Sequence, residues 1–337
     1  MIGVGTSLLF GGKAGKAGPP IPPFNKAMVD AWFMSGLSNA DKPSSIRGIK
    51  GNEMALKNFA YALDSGFGKY EVDFTKYSGN NTTSDSISIY KEAGVNKGFA
   101  TIGYNQLESN IPSYSIEIKG LASGQVLYYY RNNKGLEKNV SYNRDGIYKV
   151  PMCYKEGTQG ISMGFTINTV DEITITQLPS AYEDALVFDE VDDYGICTGL
   201  PIMTDYTVIC RREIINKDYY SIASKSTVFG KGAFIFELIQ GRTNHCYSFA
   251  ADNQINLYNS EISWQTKNSY NGSTITMGNG EDTDTLTLGI IRVGDESRRF
   301  LKGAIYYFAL YNKSLTPEEI ETEKERLNEE WLKRKIK

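Results

Sequence analysis

The sequence is poor in histidine and tryptophan, with one and three residues in 337. The lone histidine, His245, precedes Cys246, and adjacent strand residues point to opposite faces, so the two make a poor catalytic dyad. His245 reads as a surface or turn residue. The four cysteines (Cys153, Cys197, Cys210, Cys246) are too few for a disulfide scaffold, and no CxxC pair is present to hold zinc. Neither sign of charge dominates. Thirty-six basic against 39 acidic side chains give a formal net charge of −3, which offers no basic field to nucleic acid or anionic lipid. No apolar run approaches the roughly 20 residues that span a bilayer. Residues 1–12 lack the basic start and apolar core of a secretory signal. No Gly-x-Ser-x-Gly elbow, phosphate loop or His-Glu-x-x-His helix occurs. The expectation is a soluble chain of two to three domains, made in a cytoplasm, with no nucleic-acid or membrane partner.

What the sequence does hold is 33 glycines and 23 tyrosines. Tyr, Thr, Ile and Val suit a pleated, half-buried surface, while Gly and Asn suit the turns between strands. The composition therefore predicts an all-β protein of many short strands.

Three regions follow along the chain. Residues 1–25 form a Gly/Pro-rich segment, Gly11 to Pro23, behind a small apolar plug, Leu8-Leu9-Phe10. It cannot bury a core; it reads either as an anchor that orders on another subunit or as a disordered terminus. Residues 26–180 begin with a stretch of weak periodicity, expected as loops wrapped over a sheet. Strict alternation then takes over in Tyr114-Ser115-Ile116-Glu117-Ile118-Lys119, in 161–167 and in 172–176, with turn signals at 132–135, 143–146 and 156–157. That pattern predicts a small antiparallel β-sandwich. Leu178-Pro179-Ser180 reads as the joint to residues 181–337, whose strand segments suffice for a second, larger sandwich. Thr316-Pro317-Glu318-Glu319 is a capping box with proline at the first helical position, and Leu315 and Ile320 occupy the staple positions. Ile320, Leu327 and Trp331 make the apolar stripe of the C-terminal helix.

Candidate chemistry centres on acids. Asp189, Glu190, Asp192 and Asp193 fall just before Tyr194-Gly195. They read as turn residues bonding their own backbone, as oxygen ligands for calcium at a sandwich rim, or as glycosidase carboxyls, which must stand about 5–9.5 Å apart. A β-glucanase strand would carry acids at three alternate positions; Glu190 and Asp192 alternate, but Tyr194 takes the next place. A second group, Glu281-Asp282-Thr283-Asp284, has the composition of an exposed loop. Trp264 with Tyr258 and Tyr270 could stack on a sugar ring, or belong to the core. No catalytic, cofactor-binding or metal-binding residue is assigned, and no cofactor is implied.

Two resemblances extend this reading. Ala185-Leu186-Val187-Phe188-Asp189-Glu190-Val191-Asp192-Asp193-Tyr194 resembles the opening strand and turn of laminin-G-like, concanavalin A-like domains, departing at Glu190 where glycine is usual. The stretch from Phe300 to Ile320, with Gly303-Ala304-Ile305-Tyr306-Tyr307-Phe308-Ala309-Leu310-Tyr311, resembles that family's final strand and helix. The resemblance implies two successive antiparallel β-sandwich (jelly-roll) domains, the second laminin-G/concanavalin A-like, with an N-terminal anchor and a C-terminal helix. Trp32-Phe33-Met34-Ser35-Gly36-Leu37, Gly48-Ile49-Lys50-Gly51-Asn52, Leu56-Lys57-Asn58-Phe59-Ala60-Tyr61 and the join at 176–182 are similar to structural proteins of phages infecting gut Bacteroidales, the crAss-like phages among them. This implies a virion head fibre, tail-associated fibre or decoration protein rather than an enzyme. It would be homo-oligomeric, attached to capsid or tail proteins through its N-terminus, and would display modules toward host surface glycans. A laminarinase-like glycoside hydrolase and a free carbohydrate-binding lectin are the alternatives.

Overall fold

The computed structural model describes residues 23–78, 81–90, 98–102, 111–131, 137–152, 162–168, 172–215, 219–226, 232–240, 243–256, 261–293 and 296–335. Residues 1–22 of the anchor expected at 1–25, the turns at 132–135 and 156–157, Cys153 and Tyr258 lie outside them. The chain is mostly β, in antiparallel sheets, with one C-terminal helix.

Two eight-stranded sheets share one core. The first runs in the order Ser273–Thr274, Ser269–Tyr270, Ile262–Thr266, Thr207–Ile214, Lys302–Tyr311, Ala181–Asp189 and Gly66–Lys69, with Met28–Phe33 also paired to Lys302–Tyr311. The second runs Ser45–Arg47, Glu53–Lys57, Tyr194–Cys197, Leu286–Leu288, Tyr219–Lys225, Phe234–Gln240, Thr243–Ser248 and Ala251–Gln254. Trp32, Phe188, Ile305 and Phe308 of the first meet Met54, Cys197, Phe236 and Leu288 of the second in a single apolar cluster. This is a sandwich closed by burial of both inner faces.

A second, smaller pair of sheets lies between positions 72 and 178. One contains Glu137–Tyr142, Val126–Arg131, Ser162–Ile167 and Gly98–Ile102; the other contains Gly146–Val150, Tyr114–Lys119, Ile173–Leu178, Ser86–Ile89 and Asn81–Thr82. Ile116, Ile118, Ile173 and Ile175 from one face Tyr128, Met163 and Phe165 from the other. The alternation read at 114–119 and 172–176 is this half-buried pattern, apolar inward and polar outward.

Strand pairing redraws the expected boundary at 26–180. Met28–Phe33 pairs with Lys302–Tyr311, Glu53–Lys57 with Tyr194–Cys197, and Gly66–Lys69 with Ala181–Asp189. Residues 28–69 thus belong to the large sandwich, and the small one is inserted into it. The same strands correct the expectation of loops over this stretch. Met28–Phe33 shows no alternation because both its faces are covered: Trp32 enters the inter-sheet core, while Ala31 and Phe33 lie under the helix. Asp30, fully buried, organises the neighbouring turn by accepting hydrogen bonds from the amides of Ala31, Lys50 and Asn52 and from Asn52 Nδ2. A Cβ at position 48 would lie 2.3 Å from the Asp30 carboxylate, which explains Gly48.

The helix Pro317–Lys335 covers the outer face of the first sheet. Its start is the expected capping box: Thr316 N–H donates to Glu319 Oε2 at 2.9 Å, and Glu319 N–H to Thr316 Oγ1 at 3.3 Å. Ile320, Leu327 and Trp331 pack with Ile209, Tyr307, Ala309 and Tyr311. A bulge at Tyr306, between the Arg211–Tyr307 and Arg212–Ile305 pairs, turns Tyr306 edge-on to Trp331 at 5.7 Å.

Candidate functional site

The acidic turn joins the two sheets of the large sandwich, linking Ala181–Asp189 to Tyr194–Cys197. Glu190 adopts φ +74°, the left-handed conformation that glycine would take at this position without strain. Asp189 Oδ1 accepts the Val191 amide at 2.8 Å, the self-bonding turn that the sequence allowed. The turn gathers Asp189, Asp192 and Asp193 so that one carboxylate oxygen of each lies within 4.8 Å of the others. Asp192 is exposed and Asp189 half-buried, but Asp193 is fully buried. One oxygen of Asp193 accepts the Asp189 amide at 3.2 Å; the other, Oδ1, has no hydrogen-bond partner. Burial pushes the Asp193 carboxyl up to about 7, with Asp189 and Asp192 adding to the rise and the Ser65 hydroxyl opposing it. Oxygens this close share a proton or a cation more readily than they flank a sugar ring, for which carboxyls stand about 5 Å apart or more.

The other sequence candidates separate. Tyr270 is buried in the inter-sheet core and donates its hydroxyl to Glu237, whereas Trp264 packs with the cluster beneath the helix. They lie on opposite faces of the first sheet, so the pair forms no stacking platform. His245 lies on a strand, with Nδ1 2.8 Å from Asp252 Oδ1, while Cys246 points into the core and burial pushes its thiol up to about 12. The dyad is absent for the geometric reason anticipated.

The group at 281–284 is more than an exposed loop. Asp282 is buried and pairs with Lys225 Nζ at 2.5 Å; the same ammonium donates to the carbonyls of Pro201, at 3.1 Å, and Thr283. Burial holds the Lys225 amine below its usual value, and the bond to Asp282 opposes that shift. Beside this lock lies a cleft of about 490 Å³ lined by Met203, Phe249, Lys267, Met277, Gly278 and Asp282. Its mostly apolar wall with a few polar groups is the form that small-ligand sites take.

Sequence reasoning missed a buried ionic centre. Arg212 meets Glu237 through Nε to Oε2 and Nη2 to Oε1, both at 2.7 Å, and Nη2 also donates to Ser263 at 2.8 Å. Glu237 has φ +49° and sits at a bulge between Ile235 and Leu238, which turns its side chain inward beside Phe236. A single acid inside Phe234-Ile235-Phe236-Glu237-Leu238-Ile239 was the available signal. Among the described residues no helix is long and apolar enough to cross a membrane. No protein-family model matches the chain, and no curated protein matches it.

Proposed function

We propose that this chain is a structural component of a bacteriophage particle, a head fibre, tail-associated fibre or decoration protein. In this reading the N-terminal segment attaches to capsid or tail proteins, copies of the chain assemble together, and the two sandwiches are displayed outward. The larger one is read as a laminin-G-like jelly roll whose cleft takes a host surface glycan. One observation carries the proposal. The segments that bear the two independent resemblances are woven into one sheet, where Trp32 pairs with Phe308 and the strand that follows the join, Ala181–Asp189, pairs with Gly66–Lys69. Trp32 Nε1 also donates to the Asn52 carbonyl at 3.1 Å, tying the repeated theme at 32–37 to that at 48–52. A phage-like theme and a laminin-G-like theme thus describe a single folded body, as expected of a displayed virion module.

The test is quantitative mass spectrometry of density-purified virions of a phage encoding this chain, counting copies against the major capsid protein. Stoichiometric presence, at dozens to hundreds of copies, is expected. Absence from the particle overturns the proposal.

A further inference from the structure

We propose that the side chains of Lys225 and Asp282 become joined by an intramolecular amide bond, which the folded chain makes from this pair with no other reactant. The inference does not depend on the virion reading.

Placement comes first. Lys225 ends the strand Tyr219–Lys225, and Asp282 lies 57 positions further along, in the loop that precedes Leu286–Leu288. Both side chains are out of water, 0 % and 1 % exposed, with Nζ 2.5 Å from Oδ2. The backbone fixes the loop there. The Leu200 amide donates to the Asp284 carbonyl at 2.9 Å, and the Met203 amide donates to Asp282 Oδ2 at 2.7 Å. An amine held this close to Oδ2 is one bond from Cγ, the near-attack arrangement in which an intramolecular reaction outruns its bimolecular counterpart. As an ion pair these groups gain little, because desolvating both charges offsets their attraction. As an amide they have no charge to desolvate.

The chemistry is complete within the pair. Burial holds the Lys225 amine below its usual value, which favours the neutral nucleophile. A proton passes from Nζ to Oδ2 across their contact, leaving an amine and a carboxylic acid. The Nζ lone pair then bonds to Cγ. In the tetrahedral intermediate the negative charge rests on Oδ1, which accepts the Thr283 amide at 2.7 Å. Oδ2 takes a second proton from Nζ, and its bond to Cγ breaks as it leaves as water. Of the three ammonium protons, two depart in that water and one stays on the amide nitrogen, which faces the carbonyls of Pro201 and Thr283. Nothing is oxidised or reduced. The product ties the strand Tyr219–Lys225 to the segment entering Leu286–Leu288 by a bond that unfolding does not open.

Intact mass spectrometry of the purified full chain, followed by a peptide map, tests this. The wild-type mass is expected one water below that of the sequence, and the map should hold a branched peptide carrying both Lys225 and Asp282. Lys225→Met keeps an apolar side chain but has no amine, and should be found at its full sequence mass. Where that variant does not fold, the wild-type map decides alone. A wild-type chain at its full sequence mass, with Lys225 and Asp282 recovered on separate peptides, overturns the proposal. So does a Lys225→Met protein that has lost a water as well. A one-water loss that hydroxylamine converts into cleavage of the chain after Asp282 also overturns it, since that marks a succinimide confined to this residue.

Discussion

The side-chain amide of Gln177 is hydrogen-bonded to both backbone polar groups of Val72: Oε1 accepts the Val72 amide at 3.1 Å, and Nε2 donates to the Val72 carbonyl at 2.7 Å. The same Oε1 accepts the Glu71 amide at 3.0 Å. Gln177 is buried where the chain returns from the small sandwich, and Glu71 and Val72 are where it departs, so one side chain fastens the two passages together. Gln177→Ala leaves two amides and a carbonyl without partners, at a cost of about 1–3 kcal/mol. Gln177→Glu does not rescue it, because the Val72 carbonyl needs a donor. Urea midpoints of the two variants measure both effects; a midpoint at the wild-type value for Gln177→Ala would show that water serves these groups equally well.

The insertion has a second consequence. Lys69 and Ala181 are paired residues of adjacent strands, and the Ser180 amide donates to the Lys69 carbonyl at 2.7 Å. The chain therefore leaves and re-enters the large sandwich at neighbouring points. Replacing residues 71–179 by a short Gly-Ser turn should leave the large sandwich folded and cooperative, since its core draws no residue from the removed segment. Thermal unfolding followed by tryptophan emission tests this directly: Trp32, Trp264 and Trp331 all remain. Loss of a cooperative transition would mean that the two bodies depend on each other to fold.

How much was legible depended on how many faces of a strand are covered. Tyr114–Lys119 and Ile173–Leu178 have one face in water, so their period of two is written in the residues. Met28–Phe33 has the core on one side and the helix on the other, and its partner lies some 280 residues away in sequence, so neither period nor pairing could be read. The capping box was readable because its bonds are local. At the acidic turn, composition marked the place, but the full burial of Asp193 arises from chain packed around it. Lys225, Arg212 and Glu237 look in sequence like ordinary strand charges; a bulge at Glu237 and partners distant in sequence, Glu237 for Arg212 and Asp282 of a loop for Lys225, account for their burial.

Trp331 packs with Ile320 and Leu327 in the cluster that holds the helix to the sheet. Its ring lies 4.3 Å beneath the Arg211 guanidinium and meets Tyr306 edge-on, and its Nε1 donates to the Asp184 carbonyl at 3.4 Å. Trp331→Ala should cost about 3–5 kcal/mol, the range for an aromatic deleted from a packed site. Thr316→Ala removes one half of the capping box and should cost about 1 kcal/mol. Guanidinium midpoints give both values. Equal losses would place the helix's stability in its cap instead of its buried stripe.

Arg212 and Glu237 form a fully desolvated pair between the sheets. Arg212→Met leaves the Glu237 carboxylate buried without its cation and should cost about 3–5 kcal/mol. Adding Glu237→Met removes the stranded charge, so the double variant should be more stable than Arg212→Met alone. A double-mutant cycle on urea midpoints tests the coupling. Additive losses would show that Tyr270 and Ser263, which also bond this pair, satisfy the carboxylate and the guanidinium separately.

Asp193 sets the sign of a pH effect on stability. Burial, with Asp189 and Asp192 beside it, holds its carboxyl at about 7 in the fold, against 3.8 ordinarily. Between about pH 4 and pH 7 the folded protein keeps this proton and the unfolded chain has lost it, so stability falls as pH rises through that window and levels off above it. The linkage is at most about 4 kcal/mol, and solvent screening at the turn reduces it to roughly 2 kcal/mol. Asp193→Asn has nothing to titrate at this position. It should match the wild type near pH 4 and exceed it near pH 8, with that part of the slope gone. Urea midpoints across this range compare the two proteins. Parallel curves would mean that Asp193 ionises in the fold as freely as in the unfolded chain, and that its burial costs the protein nothing at neutral pH.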